Sequence, residues 1–89
     1  MNPSRYTSEE IGRQGQKLYE QHIRAQVEDR FYGQFLVIDI DSGDYEVDSK
    51  ELSALERART KHPEGLFYLM RIGASAAYRI GVAQPRRLL

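Results

Sequence analysis

The segment Ile40-Asp41-Ser42-Gly43 contains the one short motif with the residue types of a known catalytic group. An apolar residue followed by Asp-Ser-Gly is typical of the carboxylate of aspartic proteases, in which two carboxylates share one proton across a dimer. Those enzymes are all-β proteins, whereas two capped helices are predicted here. The same residues are typical of a hairpin turn. We therefore favour a turn, and a hydrolase centred on Asp41 is the alternative.

Carboxylates alternate along this part of the chain, at Asp39, Asp41, Asp44, Glu46 and Asp48. Clustered carboxylates suit hard cations such as Ca²⁺ or Mg²⁺. An EF-hand loop beginning at the first of them would need glycine and glutamate at the positions of Asp44 and Lys50. Alternation along a hairpin is typical of a solvated edge that resists sheet-to-sheet pairing. We predict no metal site and no cofactor, with a metal-dependent activity of this acidic hairpin as the alternative.

Asp39 differs from its neighbours because it belongs to a strand that is predicted to be buried. A buried carboxylate requires a compensating partner. Arg71 and Arg79 lie on or near neighbouring predicted strands. The sequence therefore predicts a structural ion pair, with Asp39 and Arg71 as the first candidate.

The two histidines, His22 and His62, lie in different predicted helices. No spacing links either imidazole to carboxylates in a metal-binding or triad pattern. We expect His22 on the buried stripe of the first helix. His62 is expected at the C-terminal end of the second helix, where the helix dipole favours a cation. No catalytic residue is predicted.

Aromatic residues are frequent, with six tyrosines and three phenylalanines in 89 residues. A tyrosine on a sheet with arginines nearby could stack on the bases of single-stranded nucleic acid. Modules of that kind present a positive face, whereas here an acidic hairpin belongs to the same sheet. Core packing is therefore favoured, and RNA or single-stranded DNA binding is an alternative only. The candidate binding residues are Tyr45, Tyr68, Arg71, Tyr78 and Arg79.

The composition indicates one domain of ordinary globular type. The chain has 40% hydrophobic and 29% charged residues, no net charge and no cysteine. Disulfides, thiolate catalysis and zinc-thiolate sites are therefore excluded. The longest apolar run, residues 35–38, is far shorter than the roughly 20 residues of a membrane span, and no signal peptide is recognised at the N-terminus. We expect a cytoplasmic protein with no membrane contact.

The first half of the chain predicts a helix followed by a β-hairpin. Thr7 and Glu10 form a capping-box pattern, and apolar residues at three- and four-residue spacing extend the helix over 8–27. Gly12 and Gly15 weaken its first turns by up to about 1 kcal/mol each relative to alanine. Alternating residues then predict a hairpin over 34–48, whose first strand is apolar on both faces and therefore central.

The second half predicts a helix over 49–61, capped by Asp48, and a strand over 66–72. Residues 77–80 form either a fourth strand or part of a short helix through the alanines, and residues 83–89 form a loose tail. The fold class is α+β in a single domain of residues 1–89. We expect a mainly antiparallel sheet of order 2-1-3, or 2-1-3-4 if the fourth strand exists, covered by helices.

Three stretches resemble a group of small bacterial proteins of unknown function, some of them cyanobacterial. These stretches are residues 33–39 (GQFLVID), residues 43–48 (GDYEVD), and the pair Arg71-Ile72-Gly73 and Tyr78-Arg79-Ile80-Gly81. The resemblance covers most of residues 8–82 and implies the same α+β fold. This chain has Ala74-Ser75 where the relatives often have an aromatic residue and proline. The shared motifs are structural, so the resemblance implies no activity and no functional residues.

We therefore expect a non-enzymatic protein-binding or regulatory module, acting on a protein partner or by self-association. A small accessory protein of the antitoxin type is one concrete version. No small-molecule substrate can be identified from the sequence.

Overall fold

The computed structural model describes residues 6–73 and 81–83. Within them, two layers of helix enclose one antiparallel sheet, so the predicted α+β class is confirmed. Two of the helical stretches are separated by a π-helical segment, Tyr19–Ile23. The helices are α1 (Ser8–Leu18), α2 (Arg24–Val27) and α3 (Glu51–Lys61); the strands are β1 (Phe35–Asp39), β2 (Tyr45–Asp48), β3 (Phe67–Arg71) and β4 (Gly81–Ala83).

The sheet order is β2-β1-β3-β4, with every neighbouring pair antiparallel. The predicted central position of the first strand, between the second and third, is confirmed. Residues 77–80, for which the sequence predicts either a strand or part of a short helix, lie outside the described residues. The fourth strand of the structure is Gly81–Ala83, paired with β3. Ala83, which the sequence places in a loose tail, is therefore the last residue of β4. Residues 84–89 lie outside the described part of the chain.

The two faces of β1 are buried against different helices, as its alternating pattern predicts. Leu36 and Ile38 pack with residues of the N-terminal helix, among them Ile11 and Ile23, and with Tyr68 of β3. Val37, on the other face, packs with Phe67, Leu69, Ala54, Leu55 and Ala58. The central strand is therefore covered on both sides, and Asp39 ends it on the α3 side of the sheet.

The N-terminal helix begins as predicted. Glu10 N donates to Thr7 Oγ1 (3.1 Å) and Thr7 N donates to Glu10 Oε1 (2.9 Å), which completes the capping box. The predicted range 8–27 is helical throughout, but its middle is a π-helix. His22, expected on the buried stripe, is exposed.

The buried residues of this helix explain the π-helical segment. They recur every four residues, at Ile11, Gly15, Tyr19, Ile23 and Val27. An α-helix has 3.6 residues per turn, so positions four apart drift steadily around its surface. A π-helical turn holds more residues, and it returns the later positions to the face that contacts the sheet.

The helix predicted over residues 49–61 is α3 of the structure, and it begins later than predicted. It starts at Glu51 rather than Ser49, and Asp48 does not cap it. Asp48 Oδ1 instead accepts a hydrogen bond from Lys50 N (2.8 Å), and Asp48 Oδ2 accepts one from Arg57 Nη1 (2.8 Å). The carboxylate is thus engaged by the turn before the helix and by a side chain within it. In the part of the chain described, no helix combines the length and apolar character required to cross a bilayer.

Gly12 and Gly15 provide a test of the packing of α1 on the sheet. A Cβ atom at Gly15 would lie 2.2 Å from Cγ of buried Tyr68, whereas one at Gly12 would meet nothing within 4 Å. We expect Gly15→Ala to lower the free energy of unfolding by about 1–3 kcal/mol through overpacking. Gly12→Ala should raise it by about 0.5–1 kcal/mol, because alanine favours the helix. Urea denaturation of both variants checks this, and equal effects at the two positions would contradict the close α1–β3 contact.

Candidate functional site

An open groove lies where the hairpin turn meets the loop between α3 and β3. The antiparallel register places the end of β1 beside the start of β3, with Asp39 opposite Phe67, and Ile40 N donates to Leu66 O (2.9 Å). The loop that follows β1 and the loop that precedes β3 therefore converge. We call the resulting depression, of about 440 Å³, the acidic groove; it is lined by Asp39, Asp41, Ser42 and residues 61–65.

Asp39 organises the hairpin side of the groove. Its side chain is 4% exposed, and its Oδ2 accepts hydrogen bonds from Ser42 Oγ (2.7 Å) and Ser42 N (3.3 Å). Its backbone oxygen accepts from Gly43 N (2.8 Å). Gly43 has φ of +80°, a conformation that glycine adopts without strain. The residues of the predicted turn therefore do form a turn, closed by the carboxyl group of Asp39.

Asp39 Oδ1, in contrast, has no hydrogen-bond partner in the structure. Buried polar atoms are normally paired, and within the described residues only Tyr19 Oη and Arg59 Nε share this condition. For Tyr19, burial is the main cause of a raised hydroxyl pKa. Of these three groups, only Asp39 lines the acidic groove.

His62 joins the other side of the groove to the hairpin. Its backbone N–H donates to Ala58 O (2.8 Å) and ends α3. Its Nε2 lies 2.9 Å from Asp44 Oδ2, and its Nδ1 lies 3.6 Å from Asp39 Oδ2. The spacing of residues along the sequence does not indicate these two carboxyl neighbours of His62. The hairpin and the 2-1-3 strand order contained the signal, because together they bring the end of the second helix to the hairpin turn.

A hydroxyl, a carboxyl and an imidazole group therefore meet in the groove, but not in the arrangement of a catalytic triad. In a triad the serine hydroxyl is bonded to the imidazole that removes its proton. Here Ser42 Oγ donates to Asp39, and both nitrogens of His62 face carboxyl groups. The hydroxyl is thus bonded to a carboxyl group and not to the imidazole. Asp41 lies exposed at the rim.

Four of the five alternating carboxylates of the hairpin form two clusters. Asp39 and Asp44 accompany His62, whereas Glu46 and Asp48 bind cations of α3. In the described ranges, 6–73 and 81–83, no group of three or more histidine, aspartate or glutamate side chains is arranged to hold a metal ion.

Arg57 holds the second cluster. Its guanidinium donates to Glu46 Oε1 (3.0 Å), Asp48 Oδ2 (2.8 Å) and the backbone oxygen of Val47 (2.7 Å), and Lys61 Nζ lies 2.5 Å from Glu46 Oε2. Burial alone would raise the pKa of Glu46, but hydrogen bonds from Lys61 and Arg57 outweigh it and lower that pKa. The hydrogen bond from Arg57 is the main cause of the lowered pKa of Asp48.

The predicted ion pair between Asp39 and Arg71 is absent from the structure. Arg71 pairs with Phe35 at the opposite end of β1 from Asp39. Its Nε donates to Gly33 O (3.0 Å) and its guanidinium lies 5.2 Å from the centre of the Phe35 ring. The antiparallel direction of β3 separates the two charges, so the partners of Asp39 are Ser42 and His62 instead.

The aromatic platform, which the sequence offered only as an alternative to core packing, does not form from Tyr45 and Tyr68. Tyr68 is buried against Gly15 and cannot stack on a base. Tyr45 is half-buried, and its hydroxyl donates to Gln26 Oε1 (2.7 Å). Tyr78 and Arg79 lie outside the described residues.

No protein-family model, no curated protein and no solved structure matches this chain. The resemblance to small bacterial proteins of unknown function therefore stays a prediction.

The role of Asp39 in closing the turn can be tested by two substitutions. Asp39→Ala removes the acceptor for Ser42 and should lower the free energy of unfolding by about 1–3 kcal/mol. Asp39→Asn retains an oxygen acceptor, so it should lower the free energy of unfolding by less than half as much. Urea denaturation gives both values. Equal losses in the two variants would show that the hydrogen bonds from Ser42 are not the stabilising contribution.

The Arg57 cluster predicts a pH dependence of stability. The folded-state pKa values of Glu46 and Asp48 are lowered. Their contribution to the free energy of unfolding is therefore fully present above the unfolded-state pKa values, and it is lost as the pH falls through the folded-state pKa values. We expect Arg57→Met to be less stable than the wild type above roughly pH 5. The difference should shrink steadily as the pH is lowered below that.

Thermal unfolding of both proteins across this pH range measures the difference. Lys17→Met, which removes an exposed cation elsewhere, serves as the control. A gap between wild type and Arg57→Met that does not change with pH would contradict this account.

Proposed function

We propose that this protein is a non-enzymatic module that binds a protein partner through the acidic groove. The observation that carries the proposal is the buried carboxyl of Asp39, which lines an open depression and whose Oδ1 has no hydrogen-bond partner among the described residues. A polar atom left unpaired in a folded protein calls for a specific explanation. Binding of an external group is the explanation that we favour.

The pairing of the reactive groups supports binding rather than catalysis. Ser42 Oγ is committed to Asp39 and to the backbone N–H of Asp44, from which it accepts a hydrogen bond (3.1 Å). The imidazole of His62 lies between two carboxyl groups. These contacts hold the groove in one shape, as a recognition surface requires, and the Ser42 hydroxyl is not bonded to the imidazole of His62 as it would be in a triad.

The position of the groove also favours a partner protein. It lies at one end of the sheet and is formed by two loops, which are anchored by the paired strands β1 and β3. Recognition residues are commonly carried on loops that a rigid scaffold positions. The cytoplasm is the compartment that we favour, since a cysteine-free chain suits a reducing environment. An antitoxin-like accessory protein is one concrete version of this role.

The matched pair Glu64→Gln and Glu56→Gln tests the proposal. Both glutamates are exposed, but only Glu64 lines the groove. The full chain and both variants are used to capture proteins from an extract of the native cells, and any captured protein is purified and titrated against them. We expect a partner that binds the wild type and Glu56→Gln alike, and that binds Glu64→Gln several-fold more weakly.

Two further measurements separate the competing functions. A partner whose affinity is the same for both variants, or sedimentation that finds a homodimer and no other partner, would contradict the proposal. Peptide hydrolysis that disappears in Asp41→Ala would favour the hydrolase alternative. Binding of single-stranded nucleic acid that weakens steeply with salt would favour the nucleic-acid alternative.

A further inference from the structure

We infer that the end of the sheet opposite the acidic groove binds single-stranded nucleic acid, with an unpaired base stacked on Tyr32 and a phosphate bound by Arg71. This surface, which we call the Tyr32 platform, consists of Tyr32, Gly33, Phe35, Arg71 and Gly73. It is a second binding site, separate from the groove, and it does not depend on the proposed function.

Tyr32 rests one face of its ring on the backbone and exposes the other. A Cβ atom at Gly73 would lie 2.5 Å from Cε2, 2.6 Å from Cδ2 and 2.9 Å from Cζ of Tyr32. These are three consecutive ring atoms, and such similar distances place that position above the face of the ring rather than beside its edge. Tyr32 is nevertheless 71% exposed. The ring is therefore supported on one face and open to solvent on the other, as stacking with a base requires.

The backbone beneath the ring is held by the sheet. Gly73 has φ of +83°, a conformation that favours glycine, so no side chain separates the ring from the main chain. Gly33 N donates to Ile72 O (2.9 Å) and Ile72 N donates to Gln34 O (2.8 Å), which extends the pairing of β1 and β3 to the platform. A side chain that is held in advance loses less conformational entropy on binding than a free one.

Arg71 places a cation beside this ring. Its Nε donates to Gly33 O (3.0 Å), and its guanidinium lies 5.2 Å from the centre of the Phe35 ring. The side chain is exposed, and no carboxylate of the described residues pairs with it. Arg24 and Arg57, in contrast, each bind two carboxylates. The two Nη groups of Arg71 therefore remain for an external anion, and guanidinium binds phosphate through two parallel hydrogen bonds.

The carboxylates of the hairpin do not oppose a phosphate at this end of the sheet. Phe35 and Asp39 are the two ends of β1, about 13 Å apart at roughly 3.3 Å per residue, so the hairpin turn lies at the far end of the strand. Asp48 pairs with Phe35 across the hairpin, but its carboxylate is already bound by Arg57 Nη1 and Lys50 N.

Arg30 supplies a second guanidinium near Tyr32 in the chain. It is exposed and lies 5.4 Å from the centre of the Phe31 ring. Asp29, next to it, is exposed as well, so the two residues together add little net charge. Arg71 is therefore the main phosphate contact.

A base and a phosphate in one ligand fit these features better than either alone. Bases in a duplex already stack on each other, whereas unpaired bases are free to stack on aromatic side chains. An acidic peptide supplies a charge for Arg71 but no ring for Tyr32. Because the platform has one open ring and few cations, we expect weak binding with a shallow salt dependence. A broad basic face would instead give binding that weakens steeply with salt.

The test is a titration of the ¹⁵N-labelled full chain with a short single-stranded DNA of mixed sequence, followed through the amide signals of Tyr32, Gly33 and Gly73. The controls are the same strand annealed to its complement, adenosine monophosphate, and a peptide of glutamates. We expect saturable shifts with the single strand and none with the duplex or the peptide. Adenosine monophosphate should bind several-fold more weakly, because a strand presents a phosphate on each side of a base.

Each control identifies a different ligand if it binds as well as the single strand. Equal affinity for adenosine monophosphate would assign the platform to a free nucleotide. Equal affinity for the duplex would assign it to the phosphate backbone, and equal affinity for the glutamate peptide would assign it to an acidic protein. Any of these results would overturn the inference, as would the absence of saturable shifts with the single strand.

Two variants locate the binding. Tyr32→Ala should weaken binding of the strand about tenfold, as loss of one stacked base implies, whereas Tyr32→Phe should retain it. Arg71→Gln should make the slope of log affinity against log salt shallower by about 0.7, the value for one phosphate contact on a single strand. Arg13→Gln removes an exposed guanidinium from α1, and as the matched control it should change neither quantity. Equal affinities of Tyr32→Ala and Tyr32→Phe, or an unchanged slope in Arg71→Gln, would contradict the inference.

The two sites fail separately. Glu64→Gln should leave binding of the strand unchanged, and Tyr32→Ala should leave capture of a groove partner unchanged. If the strand binds as expected but no partner depends on Glu64, the Tyr32 platform stands and the proposed function falls. If a partner depends on Glu64 but binding of the strand does not depend on Tyr32, the proposed function stands and the platform falls.

Discussion

Strand β1 is hydrogen-bonded to β2 on one side and to β3 on the other, and helices cover both of its faces. Its residues 36–39 are all buried. A strand enclosed in this way must have its backbone groups paired with both neighbours, because no water is available to them. The register with β3 follows from that pairing, and a slip of one residue would turn Asp39 to the other face of the sheet. The meeting of the two loops at the acidic groove depends on this register.

The same constraint explains the shape of the N-terminal helix. Its buried positions repeat every four residues, and a regular α-helix would turn the last of them away from the sheet. The π-helical segment Tyr19–Ile23 corrects the drift. Gly15 allows the first turns to approach Tyr68 of β3 closely. The helix is therefore adapted to a sheet whose position β1 has already determined.

The charged residues of the hairpin have two roles, one on strand β2 and one at the turn. At β2, the guanidinium of Arg57 binds both carboxylates and the Val47 carbonyl. That carbonyl belongs to an edge strand, so a side chain from α3 covers part of an edge that could otherwise pair with another chain. At the turn, the carboxyl groups face His62 and an open groove instead. One hairpin thus carries a protected edge and a candidate recognition site.

Local patterns in the sequence determined the elements themselves. The capping box of α1, the alternation of β1, the turn around Gly43 and the end of α3 near Pro63 each depend on residues within a few positions of one another, so they could be predicted. The central place of β1 followed from its two apolar faces. The tertiary structure alone decided which side chains meet. Asp39 was recognised as buried and in need of a partner, but Arg71 lies at the far end of the antiparallel pair and His62 lies beside it. Such contacts join residues more than twenty positions apart, and their geometry depends on strand direction and register, which no local pattern contains.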